Sequence, residues 1–241
     1  MFYVGADGCK GGWFAVRLGE GGVWEASLFP SIIKLWERYK DAKLILLDIP
    51  IGLPDEGPDE RSCDKEARKL LCKRRSSVFS VPCRSAVYAD TYEMASKNNE
   101  QKTGRRLSKQ SWGIVSKIKE VDQLLSIDMS ARSHIREVHP ELCFWALNHG
   151  KPMQYSKTKK GEQAFSERTL VLGNLYPCTE KIVDFALQKY RRYEVARDDI
   201  LDALVAAVTA YKGEQGLTSI PENRQRDSRG LPMEMVYWPP Y

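Results

Sequence analysis

Four aspartates have the spacing and surroundings expected of a metal site. Asp7 and Asp48 each end an apolar run, while Asp199 and Asp202 lie three residues apart in "RDDILDALVAAVTAYKG". This last segment predicts a helix that is apolar nearly all round, so Asp202 would be buried. A buried carboxylate needs a cation, a hydrogen-bond cluster or a metal as its partner, and residues 200–211 contain no Lys or Arg.

Carboxylates without obvious sulfur or histidine ligands favour Mg²⁺ or Mn²⁺ over zinc. Two such ions about 4 Å apart can hold a scissile phosphate, activate a water and stabilise the leaving oxygen. Each aspartate also has an ordinary interpretation: Asp7 begins an Asp-Gly turn, Asp48 is a cap or turn residue, and Asp199 caps its helix. The metal hypothesis therefore depends on all four residues meeting in the fold.

Apolar runs predict the strands that would bring the first two aspartates together. Three consecutive strands, "MFYVGAD", "WFAVRL" and "GVWEASLF", form a predicted antiparallel meander with a tight connection at "GEGG". A helix at "PSIIKLWERYKD" leads to a fourth strand, "AKLILLDIP", whose near-continuous apolar run is typical of a central parallel strand. If the first and fourth strands are parallel neighbours, Asp7 and Asp48 meet at the end of the sheet where open α/β sheets bind ligands.

Later segments complete a predicted mixed five-stranded sheet in one α/β domain over residues 1–241. Residues 55–130 are polar, charged and mostly helical in pattern, which predicts a helical insertion. "HIREVHPEL" is the predicted fifth strand, stopped by Pro140, and residues 150–180 are a loop and helix region. Helices follow at "TEKIVDFALQKY" and "RDDILDALVAAVTAYKG", and the tail from "ENRQRDSRG" onward is expected to be irregular, with at most a short terminal strand.

Composition narrows the class of protein. The 241 residues are 42% hydrophobic and 29% charged, and no apolar run approaches the roughly 20 residues of a membrane span. The N-terminal segment lacks signal-peptide features and the six scattered cysteines include no C-x-x-C pair, so we expect a cytoplasmic protein with reduced thiols. The net charge of +5, with positive residues gathered between positions 65 and 119, permits nucleic acid as a partner; solvated helix faces are the alternative.

An ordered set of motifs resembles a known family over about residues 2–210. The motifs "GADGCKGGW", "LLDIPIGLP", "CDKEARKLL", "SSVFSVPCRSA", "KIKEVDQLL", "EVHPELCF" and "ARDDILDALVAA" resemble the domain-of-unknown-function 429 family, whose members are classed as predicted nucleases of the RNase H-like fold. The resemblance implies an RNase H-like sheet: a three-strand meander, a helix, then alternating strands and helices. It also implies the activity of a nuclease.

The last predicted helix is similar to that of Holliday-junction resolvases of the RuvC type. Their D-x-x-D-A-L pattern, which carries two metal-binding aspartates, falls here on Asp199, Asp202, Ala203 and Leu204. By the same similarity Asp7 takes the metal-binding position of the first strand and Asp48 that of the fourth. Resolvases of this type often have glutamate at the fourth-strand position, so the aspartate here is one methylene shorter.

Further candidates surround the four aspartates. Glu137, His139 and Glu141 in "REVHPE" are candidate auxiliary ligands or proton-transfer groups, or else strand-end residues paired with the insertion; the resemblance favours Glu137 as a catalytic residue. Candidate phosphate contacts are the basic residues of the first turn, the insertion and the loops: Lys10, Arg75, Arg84, Lys117, Lys157 and Arg168.

Three functions are compatible with these residues. The first is a metal-dependent nuclease that uses two Mg²⁺ or Mn²⁺ ions to hydrolyse phosphodiester bonds of nucleic acid. The second is a kinase-like phosphotransferase, in which backbone N–H groups of "DGCKGGW" cradle a phosphate. The third is a non-catalytic nucleic-acid-binding module, which would gain nothing from clustered carboxylates.

Overall fold

A computed structural model describes residues 1–157, 161–214 and 216–239. Its main sheet has five strands in the order β3-β2-β1-β4-β5. The first three strands pair antiparallel, and β4 and β5 run parallel to β1. This is the mixed, RNase H-like sheet that the sequence predicts. The strands are β1 (Phe2–Cys9), β2 (Gly12–Gly19), β3 (Trp24–Phe29), β4 (Leu44–Asp48) and β5 (Ile135–Glu137).

Helices connect and cover these strands. Between β3 and β4 lies α1 (Ile32–Tyr39). Between β4 and β5 lie α2 (Ser62–Leu71), α3 (Arg84–Val87), α4 (Tyr92–Thr103), α5 (Lys109–Ile127) and α6 (Met129–His134), and a 3₁₀ turn spans Cys72–Ser77. After β5 come α7 (Pro140–Leu147), α8 (Gly161–Leu175), α9 (Thr179–Lys189) and α10 (Arg197–Lys212). Residues 158–160 of the predicted loop and helix region lie outside the described residues.

Two segments differ from the prediction. The fifth strand ends at Glu137, because Pro140 begins α7 and proline is favoured in the first turn of a helix. The tail forms a two-stranded antiparallel sheet, β6 (Thr218–Arg226) and β7 (Pro232–Tyr237). Strand β7 is the short terminal strand that the sequence allowed, whereas β6 replaces a segment expected to be irregular. The exposed half of β6 is entirely polar, so the sequence carries no hydrophobic alternation there.

The core has one layer on each face of the sheet. On one face Phe14 and Leu46 pack in a cluster with the apolar side chains of α10, α9 and α8. On the other face Ile45 and Leu47 pack in a cluster with side chains of α1 and α5. Helix α5 therefore contributes to the core although it comes from the predicted insertion. Its Glu120 also accepts hydrogen bonds from the Trp13 indole and the Ile32 amide, at 2.9 and 3.0 Å.

Other expectations concern the membrane and the thiols. Within the part of the chain that the structure describes, no helix is both long enough and apolar enough to cross a bilayer. All six cysteines are unpaired, as expected for reduced thiols.

Candidate metal centre

The ends of β1 and β4 place two of the four aspartates side by side. In the parallel register of these strands Asp7 is the direct partner of Asp48. Both residues therefore project from the same edge of the sheet, as expected from strands that are parallel neighbours.

Helix α10 crosses β1 with its backbone in contact with Gly5. A Cβ added at Gly5 would lie 2.0 Å from the Ala207 nitrogen and 2.4 Å from the Ala203 oxygen. Only glycine permits so close an approach, because every other residue would place an atom inside the helix backbone. The approach brings Asp202, from the N-terminal half of α10, to the edge that carries Asp7 and Asp48.

Asp7, Asp48 and Asp202 form a three-carboxylate group. One oxygen from each lies within 4.8 Å of the other two. Burial, together with repulsion by the other two carboxylates, raises the pKa of Asp7 well above its usual range; burial and the Asp202 charge do the same for Asp48. A divalent cation would relieve this repulsion, and an all-oxygen donor set suits Mg²⁺ or Mn²⁺. The three residues therefore fit the expected metal.

Asp199 lies one helical turn before Asp202 and outside the three-carboxylate group. Its Oδ2 accepts a hydrogen bond from the Ala196 amide at 2.7 Å, which is the capping role considered from the sequence. Burial raises the pKa of Asp199 to about 6, although the hydrogen bond from Ala196 opposes the shift. Three of the four predicted ligands thus converge, and the fourth stands beside them.

A lysine ammonium contacts the carboxylate of Asp202. The Nζ of Lys157 lies 2.5 Å from Oδ1 and 2.6 Å from Oδ2, and 4.0 Å from Oε1 of Glu141. Burial disfavours the charged lysine, but these carboxylates outweigh it and raise the pKa of Lys157. A lysine and a divalent cation would therefore compete for the same oxygens.

A cleft of about 450 Å³ opens beside Asp48 and Asp202; we call it the first cleft. Its walls carry four cations and several hydroxyl and amide groups, an arrangement suited to an anion. The lining residues include Lys73, Arg74, Ser76, Ser77, Gln110, His139, Glu141, Lys157 and Arg168.

A second cleft, of about 670 Å³, lies beside Asp199. Its lining includes Gly8, Lys10, Lys117, Arg192, Tyr193 and Asp199. Of the four aspartates, Asp199 lines this cleft, and Asp7, Asp48 and Asp202 are not among its lining residues.

Comparison with known proteins identifies a family for this arrangement. The family described as "Protein of unknown function (DUF429)" matches residues 5–226. The chain belongs to this family. The matched residues include all four aspartates, so the candidate metal centre lies within the DUF429 region. No curated protein and no solved structure matches the chain.

Glu137, the favoured acid outside the four aspartates, does not belong to the three-carboxylate group of this DUF429 protein. Its two oxygens pair with both terminal nitrogens of Arg61, at 2.7 and 2.8 Å, and Oε2 also accepts from the Ile51 amide at 2.6 Å. Burial raises the pKa of Glu137 to about 7 against the pull of Arg61. These contacts favour the second of the two interpretations of Glu137, in which it is a structural residue at the end of a strand. Its partners lie in the segment that follows β4.

His139 and Glu141, from the same motif, line the first cleft instead. The Nε2 of His139 lies 3.3 Å from the Ser77 carbonyl oxygen, while its buried Nδ1 has no hydrogen-bond partner within the described residues. Burial lowers the pKa of His139, which favours a neutral imidazole. Oε1 of Glu141 accepts from Arg168 at 2.5 Å.

The six basic residues predicted to contact phosphate lie in different environments. Arg84 is a structural residue: its guanidinium pairs with Asp122 and Asp227, each at 2.5 Å, away from both clefts. Arg168 lines the first cleft but is 1% exposed and held by Glu141. Arg75 is exposed and does not line the first cleft, whereas Lys73 and Arg74 do. Lys157 contacts Asp202 in the first cleft, and Lys10 and Lys117 line the second cleft with Asp199.

Lys73 and Arg74 are the cations of the first cleft that sequence reasoning missed, and Arg192 is one that it missed in the second cleft. The first two belong to the run "CKRR", in which the sequence alone gives no reason to prefer one cation over the next. The run belongs to a 3₁₀ turn, in which consecutive side chains point about 120° apart. The three cations therefore do not share a face, and Lys73 and Arg74 line the first cleft while Arg75 does not.

Proposed function

We propose that this DUF429 protein is a metal-dependent phosphodiesterase that hydrolyses nucleic acid. The observation that carries the proposal is the convergence of Asp7, Asp48 and Asp202, with oxygens within 4.8 Å of one another, beside a cleft lined by cations. Clustered carboxylates repel a polyanion unless cations stand between them and the phosphates. The combination of acids and neighbouring basic residues therefore favours catalysis on a phosphate over simple binding.

Each residue has a role in this proposal. Asp7, Asp48 and Asp202 would hold the first Mg²⁺ or Mn²⁺, and Asp199 would complete a second position with Asp7. Such ions supply an activated water and stabilise the leaving oxygen. Lys73 and Arg74 would bind the phosphate and orient it over the carboxylates, while the buried walls formed by Glu141 and Arg168 would limit access of bulk water.

The phosphotransferase alternative has less support. The "DGCKGGW" segment contains only a two-residue turn, Lys10 and Gly11, between β1 and β2. The Gly11 amide already donates to the Glu194 carbonyl at 2.9 Å, so it is not free to cradle a phosphate. We therefore retain the nuclease as the proposed function, in a cytoplasmic protein with nucleic acid as its partner.

A cleavage assay with matched variants tests the proposal. The wild-type protein is incubated with Mg²⁺ or Mn²⁺ and a panel of single-stranded, duplex and branched DNA and RNA. We expect cleavage by the wild type and a loss of at least about 100-fold in Asp202→Asn, because removal of one preorganised catalytic group typically costs that much. Asp184→Asn, the same change at an exposed position of α9, is the control and should cut normally. If no substrate is cut, or if Asp202→Asn cuts as well as the wild type, the proposal is wrong.

A further inference from the structure

Each cleft is lined by at least one of the four aspartates. Asp48 and Asp202 line the first cleft, and Asp199 lines the second. Asp199 and Asp202 are three residues apart on α10, a rise of about 4.5 Å along the helix axis. The two clefts therefore open beside positions of α10 that are about one helical turn apart.

The second cleft has features of a surface for nucleic acid. Lys10 and Arg192 are exposed, and neither forms a salt bridge within the described residues. Tyr193 is 61% exposed, and the Arg191 guanidinium lies 5.9 Å from the centroid of its ring. Exposed cations beside an exposed aromatic ring are the combination that binds single strands, because cations contact phosphates while bases stack on the ring.

Two glycines and a lysine side chain form part of the lining of this cleft. Gly8 and Gly113 line it, and, apart from the neighbouring residues of its own helix, no described atom lies within 4 Å of the position that a Cβ at Gly113 would occupy. The Lys117 side chain lies against Gly8 and its Nζ is 3.4 Å from Glu120, so its charge is only weakly paired. Glu194, the other acid besides Asp199 in the wall, accepts from the Arg191 amide at 3.3 Å. The positive groups thus face open space that a strand could enter.

We infer that the two clefts form one continuous path for a nucleic-acid strand, which extends on both sides of the carboxylates. The second cleft binds the strand through Lys10 and Arg192 and stacks a base on Tyr193. The inference rests on the proposed function for the position of the cut, between the clefts. Because the strand extends on both sides of the carboxylates, the phosphodiester bond that is cut lies within the strand, and the protein needs no free strand end.

Strand binding tests the path without depending on catalysis. Fluorescence anisotropy with a labelled single-stranded 20-nucleotide DNA and RNA, in EDTA, compares the wild type with Lys10→Ala/Arg192→Ala. The control, Lys40→Ala/Lys43→Ala, removes the same two charges from exposed sites near the opposite end of β4. We expect the cleft variant to bind at least tenfold more weakly, with a salt slope reduced by about two, and the control to bind within twofold of the wild type. Tyr193→Ala should weaken binding at least fivefold.

Two results would overturn the inference. Equal weakening by the two double variants would mean that only overall charge matters. Resistance of a covalently closed single-stranded circle, while a linear strand of the same sequence is cut in Mn²⁺, would mean that an end is required. These failures differ from failure of the proposed function, in which nothing is cut in any metal; binding that depends on Lys10, Arg192 and Tyr193 would then still support the path.

Discussion

Gly5→Ala tests whether the contact between β1 and α10 holds the metal centre together. The new Cβ would lie 2.0 Å from the Ala207 nitrogen, whereas ordinary contact begins at 3.4 Å. The helix must therefore retreat by roughly 1.4 Å, since backbone atoms cannot change rotamer to make room. We expect a loss of about 3 kcal/mol in the free energy of unfolding, the upper part of the range for overpacked cores. In a chain of this length, such a loss lowers the melting temperature by about 6–12 °C.

The same retreat should weaken metal binding. Asp202 belongs to α10, whereas Asp7 and Asp48 belong to β1 and β4. Movement of the helix therefore separates the Asp202 carboxylate from the other two. Mg²⁺ and similar ions require oxygens at about 2.1 Å, and a displacement of more than 1 Å exceeds what such a site tolerates. We expect the affinity for Mn²⁺ to fall at least tenfold.

Differential scanning calorimetry and isothermal titration with Mn²⁺ measure the two effects on one preparation. Gly113→Ala is the control, because a Cβ at this exposed position of α5 meets no described atom within 4 Å apart from the neighbouring residues of its own helix. Alanine favours a helix over glycine by about 1 kcal/mol, so the control should melt at or above the wild-type temperature. A Gly5→Ala protein that melts within about 2 °C of the wild type and binds Mn²⁺ equally well would refute the close packing.

Three further predictions concern charged groups. Lys157→Met should tighten Mn²⁺ binding about tenfold or more, measured by calorimetry, because it removes the ammonium that contacts both oxygens of Asp202. An unchanged affinity would contradict competition between Lys157 and the metal for these oxygens. Arg61→Met should lower the free energy of unfolding by about 3–5 kcal/mol in urea, because Glu137 stays buried without its partner; a loss below about 1 kcal/mol would contradict this. Folding raises the pKa of Asp199 from 3.8 to about 6. The contribution of this carboxyl group to the free energy of unfolding is therefore complete below pH 3.8 and is lost as the pH rises through 6. The metal-free protein should therefore melt lower at about pH 7.5 than at about pH 5, and saturating Mn²⁺ should reverse that order; the same order in both states would be inconsistent with carboxylates that bind metal.

The sequence predicts the parts of this site that depend on local periodicity. Asp7 and Asp48 are identified because each ends an apolar strand, and parallel neighbours bring their ends to one edge. Asp202 is identified because every residue from Ile200 to Ala210 is apolar enough to be buried, apart from that aspartate and Thr209. These inferences need only the spacing of side chains along a strand or a helix.

What the sequence does not predict depends on contacts between distant segments. A longer fifth strand would have placed Glu137, His139 and Glu141 on one face, because side chains in a strand alternate. The strand instead ends at Glu137, and the turn into α7 at Pro140 sends Glu141 to the first cleft. Arg84 is a similar case, because its partner Asp227 is 143 residues further along the chain. The pattern of charges in the sequence therefore cannot distinguish an arginine in an internal ion pair from one that contacts phosphate.

Helix α10 links the stability of this protein to its chemistry. Its apolar residues pack on the sheet, while the half-buried Asp199 and the buried Asp202 bring two carboxylates toward the ends of β1 and β4. The same burial that stabilises the helix raises the pKa values of these carboxyl groups, so the acidic centre costs stability whenever it is ionised without a cation. Apolar packing against Gly5 offsets that cost and fixes the carboxylate spacing at the same time. A substitution that loosens α10 should therefore reduce stability and metal affinity together, whereas Lys157→Met should change metal affinity in the opposite direction.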